Sequence, residues 1–414
     1  MRKKEKEFLI MPNCDKLLED LKIAMTEKNS KSVDNFMESR PYYIKTLPET
    51  KLKSPKGKYE ISSEQFVNSL RHDRVGKDYK FDFRKQILLN TDDAKDEIIA
   101  KKCYESYAQG SGSEFKWHYS KRYDKWYPPK MAAIKSSSML CFNAFSHVDK
   151  DHSIEINGVV YNKVFFEAKL PTLTISRNHP ANMDAVLISK DCETILFIES
   201  KFTETFGSRH SYNQIVAAKN PSLSKNYYSK ESYFGDSGEK WTAFLENYIK
   251  KQLVENDIKT LLPMSGSHLD LKQDICHCIG IYNFAKRLEI KDDECNDMYK
   301  EWLFKDTDSD LSKAELDRIF NHRFSKYIFM NLEYEPDKDK YPKLHECFED
   351  AKYFGGIFGE TIKKEIFGDI PFEYSFYSYK DFANDCLPVI KHVGNKCVPE
   401  TKHKELFMKK YLLK

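Results

Sequence analysis

One continuous apolar run that ends in charged residues constrains the fold of this chain most. Residues 195–198 are all apolar, and they lead directly into Glu199, Ser200 and Lys201. Such a run without alternation predicts a strand that is buried on both faces, as in the middle of a sheet. Side chains two residues apart on a strand share a face, so we expect Glu199 and Lys201 to point one way and Ser200 the other.

A second strand is predicted just before this one. Residues 181–188 become apolar and β-branched after Asp184, and residues 189–192 have the composition of a turn. The two strands are therefore expected to be adjacent and antiparallel. Asp184 is expected at the start of the first strand, close to the charged end of the second.

The charges at the ends of these strands predict a ligand site. Burying an unpaired carboxylate and ammonium raises the free energy of the folded state. A carboxylate that binds Mg²⁺ and a lysine that faces phosphate each gain a partner that offsets this penalty. The alternative is a surface salt bridge, because a chain with 32% charged residues contains Glu-x-Lys triplets by chance. Asp184 on the preceding strand favours the ligand site.

Further segments complete a predicted core. The serines at 136–138 can cap a helix over residues 139–147, and residues 159–170 predict a first strand. Residues 269–288 predict a strong helix, and residues 326–332 predict another strand. The resulting order is helix, three strands, helix, strand.

Three stretches of the chain resemble the PD-(D/E)xK, or restriction-endonuclease-like, superfamily of nucleases, and within it a bacterial group of restriction endonucleases. They are residues 136–145, residues 181–184 together with 199–204, and residues 269–280. The similarity covers about residues 81–335. It implies an α/β fold whose core is a helix, a three-stranded antiparallel meander, a helix and a strand. The sheet is mixed and flanked by helices. Met183, not proline, precedes the aspartate, which departs from the family pattern.

The resemblance also implies roles for the site residues. Asp184 and Glu199 would hold Mg²⁺, with Mn²⁺ able to substitute, and Lys201 would serve the attacking water. Glu167, on the first predicted strand, is a further candidate metal ligand. The alternative for Glu167 is a glutamate that faces the sheet edge without touching the metal.

A polar stripe on the later predicted helix provides further candidates. Gln273, His277 and Gly280 recur at helical spacing and would share one face. The resemblance favours Gln273 as a catalytic residue and His277 as a DNA contact, with Asn143 of the first helix similarly placed. The alternative is the exposed polar face of a helix that is otherwise part of the core.

A basic and aromatic segment between residues 115 and 135 predicts a contact with DNA. Basic groups can neutralise phosphates while aromatic rings stack on bases or sugars. The alternative is that the aromatic rings anchor the core and the lysines face solvent. The candidate DNA-binding residues of this segment are Lys116, Lys121, Arg122 and Lys125.

Composition describes a reduced, non-membrane protein. The net charge is only +3, so the net charge by itself does not indicate nucleic-acid binding. The mean hydropathy is −0.66, and no apolar run approaches the length of a membrane span. Ten cysteines without a CxxC pair are typical of free thiols in a cytosol. A cytoplasmic location without export is therefore expected.

Three regions are predicted along the 414 residues. Residues 1–74 would form an N-terminal helical extension and linker, and residues 75–335 a nuclease domain. An insertion at about residues 202–268 would either recognise the target or cap the sheet. Residues 336–414 would form a mostly helical C-terminal region.

The expected function is metal-dependent hydrolysis of DNA by an endonuclease of the restriction or defence type. The alternatives are a repair or recombination nuclease that recognises DNA structure, and a non-catalytic nucleic-acid-binding protein that keeps the fold. DNA is the expected partner, no membrane contact is expected, and a homodimer is left open.

Overall fold

The described residues of the computed structural model lie mainly after residue 135. They are 52–53, 60–61, 118–120, 125–127, 136–149, 151–174, 180–202, 226–250, 268–293, 295–297, 299, 313–339, 341–387, 389–393 and 396–411. Of the predicted N-terminal helical extension and linker, residues 1–74, only residues 52–53 and 60–61 lie within these ranges.

Two short hairpins precede the first described helix. Strands β1 (Leu52–Lys53) and β2 (Glu60–Ile61) pair antiparallel, as do β3 (His118–Ser120) and β4 (Lys125–Tyr127). Helix α1 (Ser137–Phe145) follows. The Ser136 side chain accepts a hydrogen bond of 3.1 Å from the backbone N–H of Met139, so the predicted serine cap is confirmed.

Eight strands form one mixed sheet. In chain order they are β5 (His152–Ile156), β6 (Val159–Leu170), β7 (Ala181–Ser189), β8 (Thr194–Lys201), β9 (Lys326–Glu333), β10 (Phe372–Ser378), β11 (Val389–Val393) and β12 (Lys396–Glu400). Their order across the sheet is β10-β9-β8-β7-β6-β5-β11-β12. The pairs from β5 to β8 are antiparallel, whereas β9 is parallel to both β8 and β10.

Six further α-helices follow β8 in the described part of the chain. They are α2 (Gly238–Phe244), α3 (Leu271–Ala285), α4 (Lys313–Asn321), α5 (Pro342–Ile362), α6 (Tyr379–Asp385) and α7 (Thr401–Tyr411). A π-helical segment continues α2 over Leu245–Lys250, and another continues α5 over Lys363–Phe367. The protein is therefore an α/β protein in its described part.

The interior position of β8 follows from its sequence. All eight of its residues are buried, and it lies between β7 and β9 as predicted. The predicted turn is confirmed, with the Ser189 hydroxyl accepting from the backbone N–H groups of Glu193 and Thr194 at its end. Strands β5, β11 and β12 were missed, because short strands at the far side of the sheet carry weak periodicity.

Helix α3 packs closely on the sheet. A Cβ atom at Gly280 would lie 2.6 Å from the Cβ atom of Leu170, so only glycine permits this approach to β6. The helix forms part of the connection between the parallel strands β8 and β9, which require a crossover. Gly280, the small residue of the predicted polar stripe, thus faces the sheet.

The described part of the insertion joins the hydrophobic core. Trp241 of α2 is fully buried and meets the Tyr282 ring edge-on at 6.0 Å between centroids. Residues 203–225 and 251–267 lie outside the described ranges. The described part therefore packs against α3, and both roles considered for the insertion stay predictions.

The aromatic segment of the C-terminal region forms β10 and extends the sheet beyond β9. Phe372 belongs to the core, and Tyr374 and Phe376 pack against it. Helices α5 and α7 also lie in this region, which was predicted to be mostly helical. This region thus supplies three strands in addition to its helices.

The chain divides into two compact units. One comprises residues 1–146 and 405–414, and the other comprises residues 147–404. All eight strands of the large sheet lie in the second unit. The predicted boundaries near residues 74 and 335 stay predictions. None of the helices in the described ranges combines the length and apolar character needed to cross a bilayer.

One buried arginine donates hydrogen bonds to backbone carbonyl groups at the ends of two helices. Arg287, just after α3, donates to the carbonyl oxygens of Phe284 (2.8 Å) and Phe320 (2.8 Å). It also donates to Ile319 (3.3 Å) and His322 at the end of α4. The last carbonyls of a helix have no partner within it and carry its negative end. The guanidinium therefore stabilises the C-terminal ends of α3 and α4 together.

Replacing this arginine is expected to destabilise the fold. Arg287→Met removes the guanidinium that donates to four backbone carbonyl groups, so the free energy of unfolding should fall by about 3 kcal/mol. Arg323→Met is the control, because its exposed ion pair with Glu289 (2.6 Å) should contribute less than about 1 kcal/mol. Urea denaturation of both variants measures the difference, and equal losses would contradict the role of Arg287.

Candidate active site

The site lies where β7 and β8 meet. Ala185 and Ile198 are the last registered pair of these strands, which leaves Asp184 and Glu199 as the next residues on each. The Oδ2 atom of Asp184 accepts a hydrogen bond of 2.8 Å from the backbone N–H of Ser200. Asp184 is the fourth residue of β7, so it lies within the strand and not at its start as expected.

Glu199, Lys201 and Gln273 form a closed triangle of hydrogen bonds. The Oε1 atom of Glu199 accepts from Lys201 Nζ at 2.6 Å and from Gln273 Nε2 at 2.6 Å. Lys201 Nζ also donates to Gln273 Oε1 at 2.5 Å. Glu199 is 3% exposed and Lys201 is 8% exposed, so this pair is not a surface salt bridge.

Ser200 points away from this triangle, as the strand periodicity predicts. Its hydroxyl lies 2.7 Å from the hydroxyl of Tyr379, and both side chains are buried. The predicted common face of Glu199 and Lys201 is therefore confirmed. The sequence alone did not indicate that Ser200 would be anchored to the start of α6.

The electrostatics of the site disfavour its negative charges. Burial raises the pKa of Asp184 well above its usual value, and the neighbouring Glu199 and Glu167 raise it further. The Ser200 N–H and Lys201 oppose this rise. A cation that contacts these carboxylates would relieve the cost of holding them together.

Glu167 occupies an irregular position on β6 next to Asp184. Its φ angle is 52°, and it lies between the pairs Phe166 with Ala185 and Ala168 with Met183. A left-handed conformation costs a non-glycine residue roughly 1–2 kcal/mol. Such strain is commonly retained at functional sites.

His277 lies beneath the carboxylates. Its Nδ1 atom is 3.5 Å from Glu199 Oε2, and its ring donates a hydrogen bond to the backbone of Asn182. Burial, together with Lys201, lowers the pKa of His277 to about 3, so the ring is neutral at neutral pH. Only 2% of the residue is exposed. The ring faces Glu199, and a DNA contact of His277 stays a prediction.

The other predicted DNA contacts are Asn143 and the basic residues between positions 115 and 135. Asn143 is buried, and its side-chain amide donates to the Tyr411 hydroxyl at 2.7 Å, while its DNA contact stays a prediction. Lys125 is the first residue of β4, and its side chain lies outside the described part of the chain. Lys116, Lys121 and Arg122 lie outside it entirely, and their DNA contacts stay predictions.

Strand β9 contributes polar residues that the sequence analysis missed. Asn331 is in register with Glu199, and Glu333 is in register with Lys201. Both are buried. Asp274, next to Gln273 on α3, was missed as well. The sequence signal that could have identified these residues is a polar side chain inside an otherwise apolar strand or helix.

The donor set suits Mg²⁺ held largely by water and substrate. Among the described residues, no group of three or more His, Cys, Asp or Glu side chains is arranged to hold a metal ion. Mg²⁺ is commonly bound through one or two carboxylates, with its other positions taken by water and phosphate. Asp184 and Glu199 supply two such carboxylates, so these residues fit the ion.

The family of the chain follows from a comparison with family models. A model described as restriction endonuclease associating with ARP matches residues 47–255, which is just over half of the 414 residues. The chain belongs to this family. Membership indicates a nuclease-type protein. The match includes Asp184, Glu199 and Lys201, and it ends before Gln273. Comparisons with curated proteins and with solved structures found no match.

Removing one of the clustered carboxylates is expected to stabilise the metal-free protein. Asp184→Asn removes a negative charge that burial and two carboxylates disfavour. The free energy of unfolding near neutral pH should therefore rise by roughly 0.5–2 kcal/mol. Thermal or urea denaturation in EDTA measures the change.

Asp191→Asn is the matched control for this substitution. Asp191 lies in the turn between β7 and β8, where its carboxylate accepts from the Ser189 hydroxyl (2.5 Å) and the Glu193 N–H (3.0 Å). These contacts lower the pKa of Asp191, so removing its charge should not stabilise the fold. A loss of stability in Asp184→Asn would contradict the electrostatic description of the site.

Proposed function

We propose that this protein is a metal-dependent endonuclease that hydrolyses phosphodiester bonds of DNA. The observation that supports this most is the convergence of Asp184, Glu199, Lys201 and Gln273, although Gln273 follows Lys201 by 72 residues. Two carboxylates beside an amine, in a buried setting, suit phosphoryl chemistry better than structural roles. Family membership supports the same class of activity.

The restriction-endonuclease-like core is part of this proposal. Strands β6, β7 and β8 form an antiparallel meander, α3 follows, and β9 is parallel to β8. Helix α1 precedes these elements in the chain. This order is the one expected for that core. Strand β5 and strands β10 to β12 would then be additions to it.

Mg²⁺, with Mn²⁺ able to substitute, is the proposed cofactor. Asp184 and Glu199 would hold it, and Glu167 is the candidate for a further contact through its position beside Asp184. When bound, the cation would stabilise charge that builds up on the phosphoryl oxygens and would lower the pKa of a bound water.

The side chains of the triangle have distinct roles in the proposed reaction. The Lys201 ammonium would orient the attacking water and the scissile phosphate through its N–H groups. Gln273 holds Glu199 Oε1 and Lys201 Nζ at fixed positions, since its amide contacts both. Burial strengthens these interactions and keeps bulk water away from the reacting groups. The oxygen of the attacking water would bond to phosphorus as the bond to the leaving oxygen breaks. The water gives up a proton to solvent, and the leaving oxygen takes one up from solvent.

A restriction or defence role is the proposed biological setting, and the family description supports it. A repair or recombination nuclease would instead cleave nicked, branched or single-stranded DNA in preference to duplex DNA. A non-catalytic binding protein would retain these DNAs without cleaving any of them. End mapping of the products separates a defined target sequence from recognition of DNA structure.

Purified protein incubated with plasmid and phage DNA tests the activity directly. Cleavage is expected with Mg²⁺ and should disappear in EDTA. Lys201→Ala and Glu199→Gln should each lower the cleavage rate at least about 100-fold while much of the DNA binding remains. Lys190→Ala is the control, because Lys190 lies exposed in the turn between β7 and β8. Cleavage by Lys201→Ala at the wild-type rate would exclude the role assigned to that amine.

A further inference from the structure

A closed ring of hydrogen bonds lies beside the candidate active site and contains none of its groups. Asp274 Oδ2 accepts from Asn331 Nδ2 at 2.9 Å and from the Tyr374 hydroxyl at 2.9 Å. Asn331 Nδ2 also donates to the Tyr374 hydroxyl at 2.6 Å. Asp274 and Asn331 are each 1% exposed. One side chain from α3, one from β9 and one from β10 thus meet in the core.

Each member of the ring lies next to an element of the site. Asp274 follows Gln273 on α3, so the two side chains leave the same helical turn in different directions. Asn331 is the registered partner of Glu199 on the adjacent strand β9. Gln273 therefore ties α3 to β8 at Glu199, while Asp274 ties the same turn to β9 and β10.

Helix α5 holds the third member of the ring. A Cβ atom at Gly359 would lie 2.5 Å from Tyr374 Cδ1, and one at Gly355 would lie 3.1 Å from the Tyr374 hydroxyl oxygen. The two glycines therefore form a notch that receives the tyrosine. Because the notch and the neighbouring Phe329 and Phe358 rings confine Tyr374, its hydroxyl is a fixed partner for Asp274.

Holding a helix on a sheet through a buried carboxylate carries a desolvation penalty. Burial raises the pKa of Asp274 well above its usual value, although the hydrogen bonds from Tyr374 and Asn331 counteract this. Apolar side chains would contribute as much to stability at lower cost. Hydrophobic contacts are non-directional, however, whereas hydrogen bonds between polar side chains depend on direction and so favour one relative position of the elements that carry them.

We propose that the ring of Asp274, Asn331 and Tyr374 sets the position of the first turns of α3 against β8 and β9. It thereby places Gln273 where its amide contacts both Glu199 and Lys201. Tyr374 and Asn331 bond within the ring to Asp274 and to each other, so they would act on the reaction through α3 and are positioning residues. The effect of the ring on the reaction rate rests on the proposed nuclease function. The effect of the ring on the position of α3 does not.

Tyr374→Phe is the central test, since it deletes one hydroxyl and keeps the ring in its glycine notch. We expect the single-turnover cleavage rate to fall about 10-fold to 100-fold, as for supporting residues of other sites, with the DNA dissociation constant unchanged. Tyr377→Phe is the matched control. It removes a tyrosine hydrogen bond to Asp385, also of 2.9 Å, from the same strand β10 but on the opposite face. This control should cleave at the wild-type rate.

A double substitution separates positioning from a general loss of stability. If the ring acts through Gln273, Tyr374→Phe should lower the rate in the wild-type background but not further in Gln273→Ala. Equal loss in both backgrounds would overturn the proposal, as would wild-type cleavage by Tyr374→Phe.

Hydrogen exchange provides an answer that does not depend on catalysis. In Tyr374→Phe, the amides of residues 271–277 should exchange faster than in wild-type protein, while those of β6 and β7 stay unchanged. Tyr377→Phe should leave residues 271–277 unchanged. If wild-type protein fails to cleave any DNA, the proposed function falls, and these exchange rates still decide the inference. Unchanged exchange at residues 271–277 would overturn it.

Discussion

The buried contact between Glu199 and Lys201 is the constraint on which the rest of this structure depends. Both side chains emerge at the end of a strand that is buried along its whole length, where an isolated charge is expensive. The amide of Gln273 contacts both charged groups and must come from another element. The position of α3 is therefore a condition for burying these charges, and the remaining core serves to hold that helix in place.

Several features hold α3 against the sheet at different points along its length. Gly280 permits close contact with Leu170 on β6, and Asp274 is bonded to β9 and β10. Arg287 ties its C-terminal end to that of α4. These contacts differ in kind: the contact at Gly280 is steric, Asp274 belongs to a ring of hydrogen bonds, and Arg287 is a cation that bonds to carbonyl groups. Together they leave the helix little freedom to slide or tilt over Glu199.

Local periodicity explains which parts of the fold could be predicted. The bounds of β6 matched the expected strand, and β8 has the interior place that its unbroken apolar run indicated. Strands β5, β11 and β12 were missed because short or half-exposed strands have little pattern of their own. Burial of His277 and Asn143 was also missed, because helical spacing groups residues on a face without saying what covers that face.

The sequence by itself determined that Glu199 and Lys201 share a face and that Asp184 precedes them on a neighbouring strand. Both conclusions follow from the two-residue repeat of a strand and from a short turn, which are local properties. Only the tertiary structure decided that Gln273 closes the triangle and that Asn331 lies beside Glu199. These placements depend on the register between β8 and β9 and on how α3 packs across them, and such long-range geometry is set by the whole core and not by any one segment.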